Sequence, residues 1–206
     1  MHISDGALSA PVLAGGALAA AAGVGYGLKK LPWENMMPVA LVSSAFFVAS
    51  LIHVQVGPSS AHLVLGGLMG VMLGAACIPA VAVAMLLQAL LLQYGGLTSL
   101  GVNICTVGYP AVIIGALFRK YLRADGRNST GKNTAAAFCC GALAIALTAL
   151  FVAVALALSG EDFYASAVAV LVAHVPVMLL EGVITAVIFR LICSVAPEML
   201  NIHEHA

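Results

Sequence analysis

Charge is what this sequence has least of. Of its 206 residues only 8% are Asp, Glu, Lys or Arg, against about 25% in a soluble globular chain. With so few charges there is no water-facing shell, and lipid becomes the expected solvent. Net charge is zero, which gives no hint of nucleic-acid binding. None of the five cysteines (Cys77, Cys105, Cys139, Cys140, Cys193) forms a C-x-x-C pair, so neither a disulfide framework nor a thiolate metal knuckle is expected. The chain also lacks G-x-x-x-x-G-K-[ST] and H-E-x-x-H. It therefore carries no nucleotide-hydrolysing loop and no zincin motif of its own.

What is abundant is apolar: 63% hydrophobic residues and a mean hydropathy of +1.11. A spanning helix needs about 20 largely apolar residues. On that measure spans are expected near 7–28, 37–56, 63–76, 80–93, 104–118, 134–158 and 165–193. The first is rich in Gly and Ala and ends at Lys29-Lys30, with Trp33 at headgroup level. Because its positive charge follows the apolar run, it reads as an uncleaved helix rather than a signal peptide. The third and fourth are short for a bilayer and are expected either to tilt little and thin the membrane or to flank a polar cavity that dips into it. Between them Cys77-Ile78-Pro79 turns the chain. The expected fold is an all-α integral membrane protein of one domain, residues 1–206, with seven transmembrane helices.

Orientation follows from the basic residues. With the N-terminus outside and seven alternating spans, Lys29, Lys30, Arg119, Lys120, Arg123, Arg127, Lys132 and Arg190 all fall on the cytoplasmic side, as the positive-inside rule requires. The C-terminus is then cytoplasmic, and Glu161-Asp162 lies outside. Merging the third and fourth spans would put the 119–132 cluster on the wrong side.

This topology brings three polar segments to the outer face: the start Met1-His2-Ile3-Ser4-Asp5-Gly6, the turn Gly57-Pro58-Ser59-Ser60-Ala61-His62, and the Gly-rich loop 94–103. At the start, a terminal amine, the His2 amide nitrogen and the His2 imidazole stand in adjacent positions. Such a set favours the tetragonal nitrogen geometry of Ni(II) or Cu(II), and the amine, with a pKa of about 8, deprotonates readily on binding metal. A bulky His at position 2 is expected to protect Met1 from removal. The chelate leaves one corner open, and His62 is the natural fourth ligand. Asp5 is read either as a support of the site or as the N-cap of the first helix. His53, at the outer end of the second span, is a lesser candidate. His174 and Glu181, seven apart on one helix face, are ionisable groups inside a span, but about 10.5 Å of helix separates them. His203 and His205 read as a solvated tail.

The segments M-H-I-S-D-G, Gly57 to Gly67 (GPSSAHLVLGG), Gln88 to Asn103 (QALLLQYGGLTSLGVN) and His174 to Thr185 (HVPVMLLEGVIT) together resemble the CbiM/NikM family. These are the substrate-binding membrane subunits of energy-coupling-factor (ECF) transporters for cobalt and nickel. The resemblance covers nearly the whole chain. It implies metal held by the amine of Met1, the amide and imidazole of His2, and His62, with the N-terminus folded into the binding chamber. Ser60, Asn103, Asp5 and His53 are then the supporting candidates. It also implies a membrane coupling subunit of the CbiQ/NikQ type, ATPases of the CbiO/NikO type and a small auxiliary membrane protein of the CbiN/NikN type. The setting is the cytoplasmic membrane of a bacterium or archaeon, with Co(II) destined for cobalamin synthesis or Ni(II) as cargo, and no resident cofactor. The chain departs from the family pattern at Gln93-Tyr94, where an acidic residue is usual, and at Asn103-Ile104-Cys105-Thr106-Val107, where N-x-x-N-M is usual. The aspartate of M-H-I-S-D-G is of the nickel type, without the nickel type's proline. Rival readings are a self-sufficient permease using His174 and Glu181, an intramembrane hydrolase, and a purely structural subunit.

Overall fold

The computed structural model describes residues 2–31, 36–56, 59–122 and 131–200, with the side chains of 53–56, 60, 61 and 198 outside the description. Seven α-helices form the body: α1 (Ala10–Lys29), α2 (Met36–Ala49), α3 (Gly66–Leu73), α4 (Cys77–Leu92), α5 (Leu100–Phe118), α6 (Gly131–Ala157) and α7 (Tyr164–Val195). Among the described residues five stretches are long and apolar enough to cross a membrane: Ala10–Lys29, Gly66–Leu92, Leu100–Tyr121, Gly131–Ala157 and Glu161–Val195. The shorter α2 is apolar except for Ser43 and Ser44. Leucines and valines such as Leu18, Leu41, Leu91, Val172 and Leu191 are exposed on the outside of the bundle, the surface expected where lipid takes the place of water. At several helix pairs small residues let backbones approach closely: Gly16 and Gly101 between α1 and α5, Gly70 and Gly115 between α3 and α5, and Gly141 and Gly182 between α6 and α7.

The stretch Gly66–Leu92 is not one rod. Gly74 takes φ 50° and ψ −125°, a conformation open to glycine because it has no Cβ, and residues 74–76 form a single 3₁₀ turn. This turn sits beside the Lys29 end of α1, where a Cβ on Gly27 would come 2.5 Å from the Ala75 carbonyl oxygen. The start of α3 and the end of α4, in contrast, lie at the opposite end, by His62 and His2. The chain therefore descends through α3 and returns through α4, over about 12 Å and 24 Å of helix. All eight residues of α3 are buried, packed between α5 and α6. Gly70 meets Ala111 and Gly115, and Gly67 meets Cys140 and Gly141.

Two sequence expectations need correction. The protein is not all-α: β1 (His2–Ile3), β2 (His53–Val56) and β3 (Ser59–His62) form a three-stranded antiparallel sheet in the order β1-β3-β2. Nor does the second span run to Val56. It closes at Ala49, where the Ser50 hydroxyl donates back to the Phe47 carbonyl at 2.7 Å. The alternating valines of His53-Val54-Gln55-Val56 then suit a strand and pair with β3. His62 accordingly belongs to β3 rather than to the helix after it. The five cysteines are free. The 32–35 break with Trp33, Gly57-Pro58, most of the charged 119–132 segment and the tail with His203 and His205 lie outside the described residues, as does Met1.

Candidate metal centre

The sheet is what positions the site. β1 is only two residues long, yet both are buried, His2 at 4% and Ile3 at 0% exposure. It pairs with β3 in the register His2 with Ser60 and Ile3 with Ser59. A two-residue strand is too short to hold itself in place, and α5 supplies the rest. Asn103 grips both sides of the Ile3 peptide. Its Oδ1 accepts the Ile3 N–H at 2.8 Å and its Nδ2 donates to the Ile3 carbonyl at 3.1 Å. The Ser99 hydroxyl donates to the same carbonyl at 2.7 Å. Asn103 was expected in a loop but lies in the first turn of α5, which begins directly after Ser99.

Asp5 resolves between its two expected roles. The residue preceding α1 is Ser9, so Asp5 is not the helix cap. Its Oδ1 accepts from the Thr98 hydroxyl at 2.5 Å and the Ser99 amide at 3.2 Å. The Thr98 bond holds its carboxyl below the ordinary range. Gly95 and Gly96 let the 94–99 segment press on this terminus. A Cβ on Gly96 would overlap the Asp5 carboxylate, and one on Gly95 would come 2.9 Å from Asn103 Nδ2 and 3.2 Å from His2 Cβ. Gly95 also has φ +74°.

The two imidazoles meet at the centre, with ring centroids 4.8 Å apart and planes 33° from parallel. Their hydrogen bonds set complementary tautomers. His62 Nδ1–H donates to the Leu63 carbonyl at 2.8 Å. That leaves Nε2 as the lone-pair nitrogen, buried and without a hydrogen-bond partner. Burial holds this imidazole down at about 4, against a smaller upward effect of the Leu63 carbonyl. It is therefore neutral and available as a ligand at neutral pH. His2 Nε2–H donates to Gln88 Oε1 at 2.7 Å, which turns Nδ1, the nitrogen nearest its own backbone amide, to the lone-pair side. Gln88 is itself fixed, its Nε2 donating to Ser50 Oγ at 2.5 Å. An imidazole whose second nitrogen is tied to an oxygen is the usual state of a metal-ligating histidine. Phe46 and Tyr94 stand beside the pair at ring separations of 6.3 Å from His62 and 6.1 Å from His2.

Of the sequence candidates, His2, His62, Asp5 and Asn103 thus converge. Ser60 and His53 join them through backbone pairing, His53 opposite His62 and Ser60 opposite His2. His174 and Glu181 are fully buried but engaged by backbone: His174 Nδ1 by the Val170 carbonyl at 2.5 Å, Glu181 by the Val64 amide at 3.1 Å. Sequence reasoning missed Gln88 and Ser50. A fully buried glutamine in an otherwise apolar helix was the available signal, since a buried amide demands a partner.

The sequence model of CbiM, described as the cobalt uptake substrate-specific transmembrane region, matches residues 2–199. The chain belongs to the CbiM family. It is a membrane component of transition-metal uptake, and the family is one of transport subunits. A Haemophilus influenzae protein whose name proposes a metal-transport role is 37% identical over 100% of this chain and 99% of its own. The cobalt transport protein CbiM of Sorangium cellulosum is 32% identical over 79% of this chain and 75% of its own. An Archaeoglobus fulgidus protein whose name proposes a fused nickel transporter, NikMN, is 30% identical over 98% of this chain and 68% of its own. A crystal structure described as a truncated transition-metal transporter superposes with a TM-score of 0.74 over 96% of this chain and 99% of that one, at 24% identity. It supports the fold.

Proposed function

We propose that this CbiM-family chain is the substrate-binding membrane subunit of an ECF-type importer that captures Ni(II) or Co(II). The metal would be held by four nitrogens: the Met1 amine, the His2 amide, His2 Nδ1 and His62 Nε2. The single observation that carries this reading is the paired tautomers. His2 and His62 face each other across 4.8 Å, each with its other ring nitrogen committed to an oxygen. Amine, amide and Nδ1 of adjacent residues close two fused chelate rings, and His62 completes a planar set suited to Ni(II). The aspartate of M-H-I-S-D-G favours nickel over cobalt.

In this reading seven spans place the site at the outer face of the cytoplasmic membrane, with Lys29, Lys30, Arg119, Lys120 and Arg190 inside. The whole chain acts as one binding domain with residues 1–6 inserted in its bundle. A CbiQ/NikQ-type subunit and CbiO/NikO-type ATPases would supply the work of release, and a CbiN/NikN-type protein would assist loading. The metal is cargo, and no resident cofactor takes part.

The test is positional. One residue added before Met1 moves the amine out of chelating range while leaving every side chain in place. Calorimetric titration with Ni(II) is expected to show near-complete loss of binding, and His62→Ala a sharp loss with an unchanged fold. Binding unaltered by the extension refutes the ligand set.

A further inference from the structure

Glu181 sits in the middle of α7 at 0% exposure, and its hydrogen-bond partners are backbone amides rather than a cation. Oε2 accepts the Val64 N–H at 3.1 Å. The Leu65 and Gly66 amides at the start of α3 lie next in the same cradle, and Oε1 accepts no hydrogen bond of its own. A carboxylate inside a membrane bundle is costly and is retained for a purpose. The purpose is visible one atom group further on. Val64 N–H belongs to the same planar peptide unit as the Leu63 carbonyl, and the Leu63 carbonyl is the acceptor of His62 Nδ1–H. One peptide group thus joins the Glu181 carboxylate to the His62 imidazole, carboxylate to N–H, C=O to ring N–H. Its atoms are fixed from both ends.

Three close backbone contacts keep Glu181 at this height. A Cβ on Gly67 would come 2.7 Å from the Cys140 carbonyl oxygen. One on Gly141 would come 2.8 Å from the Glu181 carbonyl oxygen, and one on Gly182 would come 3.0 Å from the Phe138 carbonyl oxygen. α3, α6 and α7 therefore touch at the level of the carboxylate. In the loop between β3 and α3, Leu65 is held in the left-handed region at φ 54°.

We infer that Glu181 is a positioning residue of the metal site, which orients and polarises His62 through the Leu63–Val64 peptide group. A carboxylate accepting the peptide N–H increases electron density on the peptide oxygen, which strengthens its bond to the imidazole N–H. The opposite nitrogen, Nε2, becomes the better donor. This is the carboxylate–histidine–metal arrangement with a peptide inserted between its first two members. It couples α7, a helix with no ligand of its own, to the strength of the bond His62 makes. The inference rests on His62 being a ligand, as proposed above.

The experiment uses the full chain in detergent micelles, titrated with Ni(II), with the affinity and the visible ligand-field absorption of the bound ion recorded together. Glu181→Gln keeps the shape and removes the charge. It is expected to weaken binding about 10- to 100-fold and to move the ligand-field band to longer wavelength, because the imidazole has become a weaker donor. Glu181→Asp, shorter but charged, should fall between Glu181→Gln and the unaltered protein in both readouts. Phe189→Ala, a buried change two turns further along α7, should lower thermal stability while leaving affinity and band position unchanged. A purely structural role for Glu181 would make Glu181→Gln behave like Phe189→Ala, and that result overturns the inference. His2→Ala separates the two levels of argument. If the unaltered protein binds and His2→Ala does not, the metal reading stands whatever Glu181 does. If His2→Ala binds normally, the metal reading itself has failed. Should Glu181→Gln not fold, hydrogen exchange in the unaltered metal-free protein decides: the Val64 amide must be strongly protected, and rapid exchange there overturns the inference.

Discussion

Asn103→Ala is the sharpest test of how the terminus is held. In the folded chain the Ile3 N–H has Asn103 Oδ1 as its acceptor, while the Ile3 carbonyl accepts from both Asn103 and Ser99. Truncation leaves the N–H buried and unpaired, which costs about 1–3 kcal/mol. The carbonyl keeps Ser99, so its loss is only about 0.5–1.5 kcal/mol. Together these amount to about 1.5–4.5 kcal/mol against docking of residues 2–3. What opposes undocking is burial of the Ile3 side chain, about 1.5–3 kcal/mol, and the short pairing with β3. The two sides are comparable, so the variant spends much of its time with the terminus undocked.

Apparent affinity falls by the fraction of molecules that are competent to bind: about two-fold where the two sides balance and about 10-fold where undocking is favoured by about 1.4 kcal/mol, so a loss of about 2- to 10-fold in Ni(II) affinity is expected by calorimetry. Thr106→Val is the control. Thr106 bonds only to the Asn103 carbonyl one turn back, so its change perturbs the same helix without releasing Ile3, and affinity should hold. Wild-type affinity in Asn103→Ala, or equal losses in both variants, refutes the clamp.

Three further outcomes follow from the same geometry. Gln88→Leu removes the acceptor of His2 Nε2–H and the donor to Ser50, and should weaken Ni(II) binding about 10- to 100-fold in the same titration; an unchanged isotherm would show that the His2 tautomer does not depend on Gln88. Gly96→Ala evicts the Asp5 carboxylate from Thr98 and Ser99, lowering affinity several-fold. Adding Asp5→Ala to it should cost nothing more, since both changes remove one interaction. Gly70→Ala drives a Cβ into the Ala111 carbonyl; α3 cannot relax past backbone, so stability should fall by more than the about 1–3 kcal/mol typical of overpacking, read as a lower melting temperature in micelles with or without metal.

The sequence made the helices legible because lipid imposes a simple requirement: long apolar runs, interrupted by the few polar residues the chain owns. The return through α3 and α4 was readable as two short runs, but its turn was misplaced: the chain turns at Gly74–Ala76, where glycine allows φ 50°, and Cys77-Ile78-Pro79 opens α4 instead, since proline is tolerated in a first helical turn. The sheet was not readable. His53-Val54-Gln55-Val56 follows an apolar helix with no Pro or Gly between them to mark the helix end, and four alternating residues are too few to outweigh that run. Only the arrival of β3 gives its backbone an alternative set of partners, and that partner lies beyond the turn.

The site divides along the same line. His2 and His62 could be named from chemistry local to each, a terminal chelate and a histidine beside a turn. Among their supports, Asn103 was named only through the family resemblance and Gln88 not at all, because each is a contact across the fold. Gln88 is 86 residues from His2 and 38 from Ser50, Asn103 is 100 from Ile3, and Glu181 is 117 from Val64. In sequence Gln88 and Glu181 look like isolated polar residues in apolar helices, and Asn103 like the end of a loop. In a membrane such a residue must find its partner inside the protein. The rule that unites them is therefore legible after all: Gln88, Asn103 and Glu181 are the polar costs of an apolar bundle. Gln88 and Asn103 are met by the terminal strand, and Glu181 by the loop that follows His62.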